Sequence, residues 1–256
     1  MLACLALALP GQTPPRLKRL RDGKPDFSGI WQTLGTAHWN LETHPASQGP
    51  LTVSGAMFAE PGGLGVVEGG MIPYLPAALE KRKANAADRL KLDPEVKCYL
   101  PGVPRATYLP YPFQILHTDK ALFFAYEFGG AVRNVFLKDP GPAPIDTWMG
   151  QSVAKWEGDT LVLEVSGLDE RTWFDRAGNY HSDELKVTER YKFVTQDLID
   201  YEATITDPQT FSRPWKIKLP LYRRMEAGAR LFEFKCVEFA EELMYGEFTK
   251  KAKEKK

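Results

Sequence analysis

The chain has 256 residues, of which 43% are hydrophobic and 26% are charged, a composition typical of globular proteins. Its 33 basic residues balance 33 acidic ones, and zero net charge argues against a general nucleic-acid-binding protein. No apolar run reaches the length of about 18 residues that a transmembrane helix needs, so we expect no integral membrane span.

The N-terminus has the features of an exported protein. Residues 1–10 are apolar, and Ala6 to Ala8 has the small-x-small pattern of a signal-peptidase site, but no positively charged segment precedes them. We expect residues 1–10 to be a signal remnant; the alternative is a frayed apolar end. Residues 11–26 are a basic linker and residues 250–256 a Lys-rich tail, both expected to be solvated unless they touch an anionic surface. The predicted location is periplasmic or secreted.

The first part of the body contains one strand and one helix. Residues 27–34 are a strand candidate, and the Gly-rich residues 35–75 are expected to be an irregular insertion lying over the body. Residues 76–92 combine good helix formers with Pro76 in the first turn, which predicts a surface helix because polar residues dominate.

After residue 112 apolar and polar residues alternate with period two, and short turn sequences such as Gly129-Gly130 separate the segments. The further predicted strands cover residues 113–117, 121–128, 131–137, 152–156, 160–166, 185–194, 198–206, 215–221 and 231–237. Ten strands in sequential hairpins leave unpaired edges unless the sheet closes. The prediction is therefore a mainly β, antiparallel barrel over residues 27–249 that can hold a small ligand, with a β-sandwich as the alternative.

The number of cysteines is consistent with an exported protein. If the leader is removed, Cys98 and Cys236 remain as an even pair. In an oxidising compartment they could form a disulfide that stabilises the fold by ~4–5 kcal/mol. Two buried free thiols are the alternative, and the sequence does not decide between them.

The densest polar cluster lies in residues 167–184, an 18-residue connection between two strands. His181 and Asp183 are two residues apart, and a carboxylate bonded to an imidazole suits general acid–base chemistry. We assign His181, Asp183 and Asp175 as candidate catalytic residues, with Trp173 and Tyr180 as candidate substrate-binding residues. The alternative is a surface histidine in a turn.

Four charged residues on the strands are further substrate-binding candidates: Glu127, Arg133, Glu189 and Arg190. Glu127 and Arg133 flank the Gly129-Gly130 turn, so a cross-strand ion pair is expected. If both face the lumen, Arg133 could instead bind a carboxylate or phenolate and Glu127 could act as a base.

Neither an organic cofactor nor a metal is predicted. Nucleotide-binding glycine motifs and a serine-hydrolase elbow are missing, and the four histidines have no ligand spacing. A metal site could only be assembled across strands.

Three segments resemble the signatures of a family of uncharacterised exported bacterial proteins: Asp22 to Trp31, Trp156 to Val162, and Thr172 through Asp183 to Glu189-Arg190. The resemblance spans about residues 22–220 and implies, by analogy, a fold similar to lipocalin-like barrels. The resemblance does not imply any particular activity.

These features predict an exported β-barrel enzyme that acts without an organic cofactor on a small apolar or aromatic molecule. His181 with Asp183 or Asp175 would drive a lyase, hydratase, isomerase or hydrolase step. The alternatives are a lipocalin-like binding protein without chemistry and a structural envelope protein.

Overall fold

A closed β-barrel forms the centre of the molecule in the computed structural model, which describes residues 17–48 and 59–244. The strands of these described residues are β1 (Gly29–Gln32), β2 (Phe113–His117), β3 (Leu122–Tyr126), β4 (Val132–Phe136), β5 (Gln151–Glu157), β6 (Thr160–Ser166), β7 (Lys186–Thr195), β8 (Leu198–Thr206) and β9 (Trp215–Arg223). They follow one another around the barrel in chain order, and β9 closes it by pairing with β1. The predicted mainly β barrel is confirmed, it is consistent with a lipocalin-like fold, and the β-sandwich alternative is wrong.

Alternation along the strands fills the barrel with side chains. On β7 the buried residues are Val187, Glu189, Tyr191 and Phe193, while the residues between them are less buried. Because successive side chains of a strand point to opposite faces, this pattern sends the apolar set into the lumen. One acidic residue, Glu189, is carried inside with them.

The pairing of β4 with β5 departs from the predicted series of hairpins. These two strands are parallel and share only two registered residue pairs, Val135 with Ser152 and Phe136 with Val153, whereas all other neighbouring strands in the described barrel are antiparallel. Two parallel strands cannot be joined by a tight turn, so residues 137–150 cross over from one strand to the next. The prediction of hairpins throughout is wrong at this seam.

The helical segment 76–92 is interrupted. It forms α1 (Pro76–Ala87) and α2 (Arg89–Leu92), separated by Asp88, whose φ of −124° leaves the helical region. Only Ala78 and Asn85 of α1 are buried, which agrees with a surface helix. A third helix, α3 (Arg105–Tyr108), was not predicted, and all four of its residues are buried.

The predicted tenth strand, residues 231–237, is not a strand. A closed barrel has no unpaired edge to accept another strand. This segment is held instead by a disulfide between Cys236 and Cys98, with Cα atoms 5.7 Å apart, and by a hydrogen bond from the Phe239 amide to the Val96 carbonyl.

The ends of the chain are described only in part. The signal remnant at residues 1–10, the start of the basic linker and the Lys-rich tail at residues 250–256 lie outside the described residues. The described part of the linker contacts the barrel through Arg19, which donates to Asp159 at 2.7 Å. Within residues 17–48 and 59–244, no helix has the length and apolar character needed to cross a membrane.

Removing the disulfide is expected to lower the free energy of unfolding by about 2–4 kcal/mol, because it cross-links residues 138 apart in the unfolded chain. Guanidinium chloride unfolding of the oxidised protein and of a Cys98→Ser/Cys236→Ser variant measures the difference. Reductant should weaken the wild type and leave the double variant unchanged. Equal stability of the oxidised wild type and the double variant would contradict the expectation.

Candidate functional site

A charged pair lies inside the barrel. The Arg133 guanidinium of β4 donates through Nη2 to Glu189 Oε2 of β7, and its Nε donates to Ser152 Oγ at 2.6 Å. The side chains of Arg133 and Glu189 are 1% and 0% exposed, respectively. Burial opposes the charge of Arg133 and Glu189 favours it, and the net effect raises the pKa of the guanidinium. Period two alternation places both charges on the inward face of their strands.

Two tyrosines complete the hydrogen bonding of Glu189. Its Oε1 accepts from the Tyr191 hydroxyl at 3.0 Å and from the Tyr201 hydroxyl at 2.7 Å. Burial and then Glu189 raise the pKa of both phenols, so both remain protonated donors. Glu189 therefore accepts three hydrogen bonds, and its negative charge is fully engaged.

Three polar atoms beside this pair have no hydrogen-bond partner within the described residues: Arg133 Nη1, Tyr126 Oη and Thr107 Oγ1. Burial raises the pKa of Tyr126, whereas the charge of Arg133 and hydrogen bonding with Arg133 and Thr107 act to lower it. Buried polar groups are normally satisfied, so such a concentration of unpaired atoms needs an explanation. We name the seven residues the lumen cluster: Thr107, Tyr126, Arg133, Ser152, Glu189, Tyr191 and Tyr201.

A cleft of about 400 Å³ lies over the seam between β4 and β5. We name it the seam cleft; its lining residues are Leu100, Val132, Arg133, Asn134, Phe136, Ala143, Pro144, Ile145, Thr147, Trp148, Met149, Gly150 and Gln151. The exposed β4 residues Val132, Asn134 and Phe136 line it, so the cleft lies on the outer face of β4, opposite the face from which the Arg133 side chain projects into the barrel. The crossover of residues 137–150 supplies the outer wall of the cleft.

The seam cleft touches the start of the 167–184 connection. The Thr147 amide donates to the Gly167 carbonyl at 2.9 Å, and the Arg171 guanidinium lies 4.4 Å from the centre of the Trp148 ring. Tyr99 packs against the other side of this wall, 4.7 Å from Trp148 between ring centres. The long connection therefore supports the cleft through Arg171, while its aromatic residues lie elsewhere.

His181 is buried, with 2% exposure, in the part of the connection that caps the barrel. Its Nδ1 lies 2.7 Å from the Ser182 carbonyl and its Nε2 lies 2.6 Å from Thr172 Oγ1. A carbonyl can only accept, so Nδ1 carries the proton and Nε2 accepts from the threonine. Burial lowers the pKa of His181, which keeps the ring neutral. Both ring nitrogens are occupied by the protein itself.

The carboxylates expected beside His181 have other positions. Asp183 is exposed and makes no hydrogen bond to His181 in the described structure, so the expected orientation by Asp183 is not found. Asp207 instead accepts from the Ser182 amide at 2.7 Å and from its hydroxyl at 2.8 Å. A turn carries the chain away from the extended form that would place His181 and Asp183 on one face.

Asp175 stabilises the 167–184 connection by accepting several hydrogen bonds. It is completely buried and accepts from the Leu41 amide at 2.8 Å, the Ala177 amide at 2.9 Å and the Asn179 side chain at 2.6 Å. Burial raises its pKa to about 6, and these hydrogen bonds oppose the rise. It joins the 167–184 connection to the segment near Leu41.

Trp173 and Tyr180 pack against Ala78 of α1, in a small apolar cluster separate from the main core. Lys81 Nζ lies 4.4 Å from the centre of the Tyr180 ring. Neither aromatic residue lines the seam cleft, so in this structure both hold α1 against the connection.

The expected ion pair between Glu127 and Arg133 is wrong. The turn is not a two-residue hairpin, because Phe128–Gly130 forms a 3₁₀ turn and Arg133 lies opposite Phe124. Glu127 accepts from the Phe232 amide at 2.8 Å, and Arg133 pairs with Glu189. Arg190 lies on the outer face and donates to Glu157 at 2.6 Å.

The structure therefore brings together Arg133 and Glu189 from the sequence-based candidates and adds residues that sequence analysis missed. The missed members are Thr107, Tyr126, Ser152, Tyr191 and Tyr201, with Trp148 and Met149 in the cleft. The signal that could have found part of the cluster is the alternation itself, since Glu189 and Tyr191 fall on the apolar face of β7. Thr107 gave no such signal because α3 was not predicted.

The described residues hold no group of three or more His, Cys, Asp or Glu side chains placed to bind a metal ion. No protein-family model, curated protein or solved structure matches this chain. The resemblance to exported bacterial proteins stays a prediction, and the function must be argued from the site.

Replacing Arg133 by Met is expected to lower the free energy of unfolding by about 3–5 kcal/mol, because Glu189 would remain buried without its counter-charge. The free energy of unfolding of the combined Arg133→Met/Glu189→Gln variant should fall by less than the sum of the decreases measured for the two single variants. Urea unfolding measures each value. The control is Arg190→Met, because Arg190 follows Glu189 on β7 but lies on the outer face. It should lower the free energy of unfolding by less than about 1 kcal/mol. Additive losses at Arg133 and Glu189 would contradict the coupling.

The advantage of wild type over His181→Gln is expected to shrink as pH falls from 7 to 5. The unfolded chain protonates His181 near its ordinary pKa of 6.5, whereas burial lowers the pKa of the folded state. The contribution of His181 to stability is therefore complete above pH 6.5 and is lost progressively below it. Urea unfolding of both proteins at the two pH values measures the gap, and a gap that stays constant or widens would refute the assignment.

Proposed function

We propose that this protein is an exported small-molecule-binding protein that holds a mostly apolar, aromatic-sized ligand in the seam cleft. The observation that carries the proposal is the apolar lining of the cleft, where Val132, Phe136 and Ile145 stand exposed around a hollow of about 400 Å³. Ligand sites are typically apolar concavities with a few convergent polar groups, and the seam cleft fits that description.

The rim of the seam cleft supports the same conclusion. Ile145 is 71% exposed, Val132 is 51% exposed and Phe136 is 37% exposed. Large apolar side chains grouped on a surface mark interaction sites more often than chance exposure does. A volume of about 400 Å³ suits one small organic molecule.

A second hollow, of about 550 Å³, lies over the outer face of β5, β6 and β7. Its charged lining residues, Asp139, Glu164 and Lys186, are all exposed. Because exposed charges are solvated by water, an apolar ligand gains less beside them than on the apolar rim of the seam cleft. We therefore place the ligand in the seam cleft.

Export is supported by the Cys98–Cys236 disulfide, because such bonds persist in oxidising compartments and are rare in the cytosol of most organisms. The apolar N-terminal residues favour the same location. We accordingly propose a periplasmic or secreted site of action.

Acid–base catalysis by His181 has less support and stays a prediction. Both of its ring nitrogens are engaged within the barrel cap, and burial lowers its pKa. A general base needs a nitrogen within reach of the proton that it removes. Binding without chemistry requires no such rearrangement, so it is the function that we favour.

Val132→Lys is expected to weaken binding of the neutral fluorescent probe N-phenyl-1-naphthylamine by about 10-fold or more, because it places a charge on the apolar rim. Probe fluorescence, titrated against protein, measures the dissociation constant. Val194→Lys is a matched control, because Val194 is 49% exposed on β7 and outside the cleft, against 51% for Val132. The control should bind like wild type. Equal effects of the two substitutions, or no binding by wild type, would refute the proposal.

A further inference from the structure

The Cys98–Cys236 disulfide lies next to a wall of the seam cleft. Cys98 immediately precedes Tyr99, whose ring centre lies 4.7 Å from that of Trp148, a residue of the cleft lining. Leu100, the next residue, also lines the cleft and packs against the hydrophobic core. The disulfide is therefore one residue away from the side chain that supports the Trp148 wall.

The chain around the disulfide forms a surface bend, residues 96–99, which we name the cysteine bend. The buried Pro94 fixes the chain before the bend and Leu100 fixes it afterwards, but none of the described residues 96–99 is buried. Its backbone hydrogen bonds include one to a near neighbour, from the Tyr99 amide to the Pro94 carbonyl at 3.0 Å. A segment with so little burial opens locally at a small cost in free energy. The disulfide is the covalent tie of this bend.

The backbone of Cys98 makes the shape of the bend depend further on that tie. Its φ is 58°, in the left-handed region, which is unfavourable for a residue that carries a Cβ. Such a conformation persists only where the surroundings enforce it. Without the bond to Cys236, Cys98 is free to return to a common backbone conformation. That change redirects the residue after it, Tyr99.

The other half of the disulfide belongs to residues 225–244, which we name the C-terminal strap. None of these described residues is buried. The strap is attached on both sides of its cysteine: Glu127 accepts from the Phe232 amide at 2.8 Å, and Arg176 Nη1 lies 3.4 Å from Glu241 Oε1. Because the strap is anchored at these two places, its disulfide can hold the cysteine bend in position.

The disulfide is open to exchange with a dithiol from solvent. Cys236 is exposed and Cys98 is half-buried, which favours attack on Cys236. A thiolate of the dithiol bonds to Cys236 Sγ, the Cys98–Cys236 bond breaks, and Cys98 leaves as a thiolate that takes up a proton. The second thiol then displaces Cys236, which is protonated in turn. Two electrons pass to the protein, and the dithiol becomes a disulfide.

We infer that the Cys98–Cys236 disulfide is a redox switch for the seam cleft. When formed, it holds Tyr99 against Trp148, and its reduction by a dithiol weakens binding of the ligand. This inference rests on the proposed function and names the regulation of that site. Tyr99 is a positioning residue, because it acts on the ligand through Trp148.

The test measures the dissociation constant of N-phenyl-1-naphthylamine for oxidised wild type, for wild type reduced by dithiothreitol, and for Cys98→Ser/Cys236→Ser. We expect the reduced protein and the double variant to bind about 5-fold more weakly than oxidised wild type, because binding must then order the side chains of the wall. Reoxidation should restore the affinity of wild type. Dithiothreitol should leave the double variant unchanged.

Tyr99→Ala tests the route from the disulfide to the cleft. This variant should bind the probe weakly in both redox states, with little difference between them. Tyr222→Ala is the matched control, because Tyr222 is 38% exposed on β9 and outside the cleft, against 37% for Tyr99. The control should keep the full redox response, and thermal melts establish that each variant is folded.

Amide hydrogen exchange, followed by mass spectrometry, separates a local change from a general loss of stability. At short exchange times, reduction of wild type should speed exchange in residues 96–99 and leave β7 and β8 unchanged. These two strands lie in the barrel wall, away from the disulfide, and report on the barrel as a whole.

The outcomes separate this inference from the proposed function. If oxidised and reduced wild type bind the probe equally, the switch is overturned and small-molecule binding stands. If Tyr99→Ala keeps the full redox response, or if reduction speeds early exchange in β7 and β8 as much as in residues 96–99, the local route is overturned. If no form of the protein binds the probe, both the proposed function and this inference fail.

Discussion

The buried pair between Arg133 and Glu189 is the constraint on which the interior of the barrel depends. A lumen filled by Leu, Ile and Phe would need no counter-charges, but once one charge is inside, the other must be within hydrogen-bond distance. The pair joins β4 to β7 across the lumen and directs Tyr191 and Tyr201 toward Glu189. It therefore sets the arrangement of side chains that are far apart in the sequence.

The same pair also leaves one of its two members with an unused hydrogen-bond donor. Glu189 is satisfied by three donors, whereas Arg133 retains an unpaired nitrogen within the described residues. That nitrogen belongs to the strand that borders the parallel seam with β5, where the ladder is only two residue pairs long. The crossover of residues 137–150 then covers the seam from outside. The seam cleft lies between this crossover and the outer face of β4.

The polar residues of the 167–184 connection serve the structure of the cap. Asp175 binds Leu41 and Asn179, and His181 is enclosed between Thr172 and Ser182. A cluster rich in Asp, His and aromatic residues can thus reflect the need to satisfy buried backbone groups where a long loop covers a barrel end. Unpaired atoms, rather than the density of polar residues, distinguish the lumen cluster from the cap.

The sequence by itself determined the nine barrel strands, their alternation and a preference for closure over a sandwich, because these follow from local periodicity and from the cost of unpaired edges. Alternation also marked Glu189 as an acidic residue on an apolar face. What only the tertiary structure decided was which partners meet: Arg133 pairs with Glu189 instead of Glu127, and His181 bonds to Thr172 and the Ser182 carbonyl instead of Asp183. These pairings depend on strand register and on a parallel crossover, and no local pattern encodes either of them.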